Sequence, residues 1–121
     1  MYELTVKRKF SAAHQLRGYR GKCENLHGHT YGVDVVLSAE SLDGIGLAVD
    51  FKVVKKIIDD LLDNYDHRLI NEVAPFDEIN PSAENMARVI YESLKDSLPG
   101  EVGLRKVTVW ESANAGASYF E

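Results

Sequence analysis

The chain opens on an alternation of apolar and polar residues. Tyr2, Leu4, Val6, Phe10 and Ala12 share one parity, and Glu3, Thr5, Lys7, Lys9 and Ser11 the other. Side chains in extended backbone point to opposite faces in turn. The pattern therefore predicts a half-buried strand over residues 2 to 14, with His14 on the apolar parity. Arg8 is the one even-numbered residue that breaks it. His27, His29, Tyr31, Val33, Val35 and Leu37 form a second run of one parity, so a second strand begins its inward face with two histidines. Gly18 and Gly21 punctuate the segment between them, and the two strands read as an antiparallel pair joined by a loop.

The period then changes. Asp50 is placed to cap a helix, and Val53, Val54, Ile57, Ile58, Leu61 and Leu62 recur at helical spacing until the helix ends near Asn64. Asn80-Pro81 reads as an N-cap followed by proline at the first helical position. Met86, Val89, Ile90 and Leu94 supply that second helix with its stripe, closed by Pro99-Gly100. Leu104 to Glu111 reads as a third strand, Ser112 to Ala117 as a turn, and Ser118 to Phe120 as a short last strand. The order is ββααββ. It predicts an α+β domain over residues 1–121, a four-stranded antiparallel sheet with two helices on one face.

Composition narrows the function classes. The 121 residues are 45% hydrophobic and 27% charged, the balance of a globular domain, and no apolar run approaches the length of a membrane span. The first residues lack the basic-then-apolar form of a signal peptide, and a single cysteine makes no internal disulfide, so a cytoplasmic setting is expected. The net charge of -5 argues against general nucleic-acid or membrane-surface binding. Arg17, Arg20 and Lys22 are a local exception, a basic loop that either draws in an anionic substrate group or is simply solvated.

Candidate chemistry concentrates in Cys23-Glu-Asn-Leu-His27-Gly-His29. Residues two apart on a strand share a face, with backbones about 7 Å apart, so the two imidazoles can converge on one ion. His14, at the facing strand end, adds a third, and three imidazoles are a known way to hold zinc with a position left open. Cys23 either closes the site as a fourth, structural ligand or stands beside an open one as a thiol base or nucleophile. Asp66-His67 is either a solvated helix terminus or a cooperating pair in irregular backbone. Glu111 carries a carboxylate on an apolar parity, which calls for a cationic partner or a ligand with two adjacent N–H donors.

The chain also carries Phe10-Ser11-Ala12-Ala13-His14, Cys23-x-x-x-His27-Gly28-His29, Val49-Asp50-Phe51, Asp66-His67, Asn80-Pro81-Ser82-x-Glu84-Asn85 and Trp110-Glu111 in this order. In these it resembles the 6-pyruvoyltetrahydropterin synthase family across essentially its full length. The three-residue gap between Cys23 and His27 is similar to the bacterial 6-carboxytetrahydropterin synthase branch, which serves queuosine biosynthesis. The resemblance implies zinc on His14, His27 and His29, Cys23 as a base, Asp66 and His67 as a relay supplied by a neighbouring subunit, and Glu111 as the pterin anchor. It implies 7,8-dihydroneopterin triphosphate as substrate, and the tunnel fold, in which three sheets close a barrel and two trimers stack into a hexamer. The pyruvoyl reaction and a non-catalytic pterin-binding protein are the alternatives.

Overall fold

The computed structural model describes residues 1–18 and 25–121. Cys23, Arg20 and Lys22 lie outside the described residues. Strands β1 (Tyr2–His14) and β2 (His27–Ala39) pair antiparallel along their full lengths, with His14 opposite His27 and Ala12 opposite His29. Helix α1 (Phe51–Leu62), a single 3₁₀ turn (Ile70–Glu72) and helix α2 (Ala83–Leu94) follow. Strands β3 (Gly103–Ser112) and β4 (Ala115–Tyr119) complete one antiparallel sheet in the order β1-β2-β3-β4.

The predicted parities meet in one core. Val6, Phe10, Ala12, Tyr31, Val33, Val35, Leu37, Val107 and Val109 face Val54, Ile58 and Leu62 of α1 and Met86, Ala87, Ile90 and Leu94 of α2. Arg8 lies on the same sheet face, and its exception has a reason. Its Nε and Nη2 each donate to an Asp59 oxygen at 2.7 Å, a bidentate pair that ties β1 to α1. Asp50 caps α1 as expected, its carboxylate accepting from the Lys52 amide at 2.9 Å.

Three boundaries differ from the sequence reading. Helix α2 is capped by Ser82, whose Oγ accepts from the Asn85 amide, so Asn80-Pro81 precedes the helix. That helix ends at Leu94, before Pro99-Gly100. Strand β4 starts at Ala115, because only Ala113 and Asn114 are needed to turn the β3–β4 hairpin. On the sheet face opposite the helices, the Trp110 ring lies across Gly32 and Gly116, and its Nε1 donates to Asp34 at 3.2 Å. Among the described residues, no helix is long and apolar enough to cross a membrane.

Candidate metal centre

The β1–β2 register places three imidazoles together at one end of the sheet. His14 and His27 are cross-strand partners, and His29 lies one pleat further in on β2. One ring nitrogen from each lies within 4.8 Å of the others. His14 is buried, 1% exposed, while His27 and His29 are half-buried.

The hydrogen bonds of the rings decide which nitrogens face inward. His14 Nδ1 is 2.7 Å from the Pro81 carbonyl, and His27 Nδ1 is 2.7 Å from the Asn25 carbonyl. A carbonyl only accepts, so both Nδ1 atoms carry the hydrogen and both Nε2 atoms keep a lone pair in the neutral rings. Those two Nε2 atoms face each other at 3.0 Å. His29 Nε2 is buried with no partner among the described residues. Two opposed lone pairs and one orphaned buried nitrogen make a poor hydrogen-bonding cluster and a good ligand set. Metal-bound histidines characteristically donate their second ring N–H to a backbone carbonyl or carboxylate, as His14 and His27 do. Burial pushes the His14 imidazole below its ordinary value. The Pro81 carbonyl opposes that shift, and the neighbouring His27 and His29 reinforce it. A neutral ring is the form a metal ion binds. The residues fit a divalent cation.

Glu111 stands close by. Its charge favours the protonated form of His14 and adds to the upward push that burial exerts on the Tyr31 phenol. The carboxylate lines a cleft of about 260 Å³ with Ala83, Glu84, Ala115, Gly116 and Ala117. Among the described residues it takes part in none of the ion pairs that Lys and Arg side chains make. Tyr31, beneath the histidines, is fully buried, and its hydroxyl has no partner among the described residues. Its parity with the strand core concealed that feature in the sequence.

The Asp66 and His67 side chains meet, and they do so in irregular backbone. After α1 the chain runs along the outer edge of β1. The His67 amide donates to the Ser11 carbonyl at 2.6 Å, and the Ala13 amide to the Arg68 carbonyl at 3.0 Å. Asp66 Oδ1 accepts from the Ser11 amide at 2.9 Å, and Oδ2 lies 3.0 Å from His67 Nδ1. The Ser11 amide, helped by His67, holds the Asp66 carboxyl below its usual range. His67 adopts φ +58°, a left-handed conformation uncommon outside glycine, and its side chain is 82% exposed. Within one chain His67 is exposed to solvent, Asp66 is half-buried against β1, and neither makes a hydrogen bond to the three histidines.

Arg17, the one described residue of the basic loop, is exposed but engaged within the chain. Its guanidinium donates to the carbonyls of Phe76 at 2.6 Å and Ile79 at 3.2 Å, which makes it an internal tie between loops. Sequence reasoning also missed Pro81, whose carbonyl orients His14. No residue-type signal could have found it, since every residue carries a carbonyl.

Comparison with known proteins agrees with this geometry. The family model for 6-pyruvoyl tetrahydropterin synthase matches residues 3–121. The chain is 34% identical over 113 residues to the dihydroneopterin monophosphate aldolase of Pyrococcus furiosus, covering 93% of this chain and 92% of that one. It is 32% identical over 126 residues to the 6-carboxy-5,6,7,8-tetrahydropterin synthase of Bacillus subtilis, covering 98% and 84%. The solved 6-pyruvoyl tetrahydropterin synthase of Caenorhabditis elegans superposes with a TM-score of 0.82 at 32% identity, over 100% of this chain and 97% of that one. With the same fold from end to end and a family model spanning both the histidine cluster and Glu111, the chain belongs to the 6-pyruvoyl tetrahydropterin synthase family.

Proposed function

We propose that the protein is a zinc-dependent 6-carboxytetrahydropterin synthase. It would convert 7,8-dihydroneopterin triphosphate, with water, to 6-carboxy-5,6,7,8-tetrahydropterin, acetaldehyde and triphosphate, on the route to queuosine in the cytoplasm. The observation that carries the reading is the convergence of His14, His27 and His29 with two Nε2 lone pairs directed at one point. Zinc bound there would act as a Lewis acid that lowers the pKa of a substrate hydroxyl. Cys23 takes a proton from the substrate side chain. Asp66 accepts from His67 Nδ1–H, which leaves His67 Nε2 free to receive a proton and pass it on. Glu111 accepts from the ring N–H and the exocyclic amine of the pterin with its two oxygens.

The Asp66-His67 pair, with His67 exposed, serves the site of a neighbouring copy, a reading supported by the pair's making no hydrogen bond to its own three histidines. Among the described residues, strand β4 is an open sheet edge, and so is β1 apart from residues 11–13. Closing three sheets into a barrel removes such edges, and a dimer of trimers is the assembly proposed.

The likeness to the Pyrococcus furiosus aldolase supports a second reading, retro-aldol cleavage of a dihydroneopterin phosphate. One experiment separates the readings: incubation of the zinc-loaded protein with 7,8-dihydroneopterin triphosphate or monophosphate, assaying the released fragments. Acetaldehyde with triphosphate supports the synthase. Glycolaldehyde phosphate from the monophosphate supports the aldolase. Triphosphate release without carbon–carbon cleavage supports the pyruvoyl reaction.

A further inference from the structure

We propose that Asn80 is a positioning residue for the metal centre, holding the Pro81 carbonyl against His14 by clamping the backbone of Arg17. The inference rests on the metal-site reading above and extends it to a residue 66 positions away from the ligand it serves.

His14 ends β1, and its ring is oriented by the Pro81 carbonyl at 2.7 Å. Pro81 lies outside any helix or strand, so its carbonyl is placed by neither ladder. The Asn80 side chain supplies the missing register. Its Oδ1 accepts from the Arg17 amide and its Nδ2 donates to the Arg17 carbonyl, each at 2.8 Å. That is the two-bond exchange of a hydrogen-bonded pair in an antiparallel ladder, made by a side-chain amide. Asn71 does the same for Gln15, with both bonds at 2.8 Å. The stretch directly after His14 is thus docked on residues 71–80 by two asparagine rungs. Asn80 is the rung adjacent to Pro81. Its own carbonyl accepts from Asn85 Nδ2 at 2.9 Å, which fixes it to the start of α2.

The consequence for the ion follows from tautomer chemistry. While the Pro81 carbonyl is in place, the His14 hydrogen stays on Nδ1 and the Nε2 lone pair faces His27 and His29. A displaced carbonyl frees the ring to rotate or to carry its hydrogen on Nε2, where it cannot bind a cation. An amide is the group the position needs. Aspartate would set a second acceptor against the Arg17 carbonyl, and alanine would remove the side-chain partner of both Arg17 backbone groups.

The test compares wild type, Asn80→Ala, Asn80→Asp and Asn71→Ala as purified full-length chains. Zn²⁺ affinity is measured by chelator competition, the visible absorption of the Co²⁺-loaded site reports ligand geometry, and the melting temperature of the metal-free protein controls for general destabilisation. Both Asn80 variants should bind Zn²⁺ about 10–100-fold more weakly, the usual cost of losing an outer-shell partner, and shift the Co²⁺ bands. Asn71→Ala removes the same number of bonds and should keep wild-type affinity and spectrum. If Asn80→Ala does not fold, Asn80→Asp decides. Wild-type affinity in the Asn80 variants, or an equal loss in Asn71→Ala, overturns the proposal. Failure of the metal assignment itself shows separately, as zinc retained by His27→Ala and His29→Ala.

Discussion

The Nε2 atoms of His14 and His27 lie 3.0 Å apart while each ring commits its Nδ1–H to a backbone carbonyl. Neutral rings in that arrangement repel, and a shared cation turns the repulsion into coordination. The purified protein should therefore carry one zinc per chain. His27→Ala and His29→Ala should each lose it by elemental analysis, and full retention in both would sink the site.

Cys23 separates an open site from a closed one. As a base it is dispensable for zinc and for pterin binding, and Cys23→Ala should lose about 10²–10⁴-fold in turnover while keeping both. A parallel fall in zinc affinity would make it the fourth ligand instead. Metal content, pterin affinity and kcat measured on one preparation distinguish the two.

Glu111 lines its cleft with no Lys or Arg partner among the described residues. Glu111→Gln replaces an acceptor with a donor that opposes the pterin ring N–H. Binding of a pterin to the zinc-loaded variant should weaken by about 2–4 kcal/mol, the scale of a lost charge-assisted bond plus an unmatched donor. Unchanged affinity with turnover lost would assign Glu111 to proton transfer.

Asp66 has its carboxyl held low by the Ser11 amide, then by His67. A depressed carboxylate contributes stability above its ordinary pKa, about 3.9, and loses it as pH falls through the lowered value. The melting temperature of wild type should exceed that of Asp66→Asn near neutral pH, and the gap should close below about pH 4. A gap independent of pH would show that the charge contributes nothing.

Gly116 sits under the Trp110 ring, where an added Cβ would meet ring carbons at 2.6 and 2.7 Å. The indole is rigid and tied to Asp34 by its Nε1. Gly116→Ala should cost about 1–3 kcal/mol, as overpacking does, read by thermal or denaturant unfolding. Wild-type stability would show that the ring moves aside freely.

Strand parity alone put His14, His27 and His29 on the core side of their strands, and it turned Glu111 the same way. Both are local properties, since side-chain direction follows from a backbone period of two whatever the rest of the chain does. The Asp50 cap and the α1 stripe were legible for the same reason. Tertiary structure alone decided which carbonyl holds each histidine. Pro81 is 67 residues from His14, and a backbone acceptor looks identical at every position in the sequence. It likewise gave Asn80 its clamp and left the helix cap to Ser82, because an asparagine amide serves equally well as a cap or as a rung until packing presents a partner. Arg17 stood in the sequence as one of three basic residues in a loop, and only folding showed its guanidinium on the carbonyls of Phe76 and Ile79. Long-range partners are set by how elements pack, and one-dimensional periodicity carries no record of that.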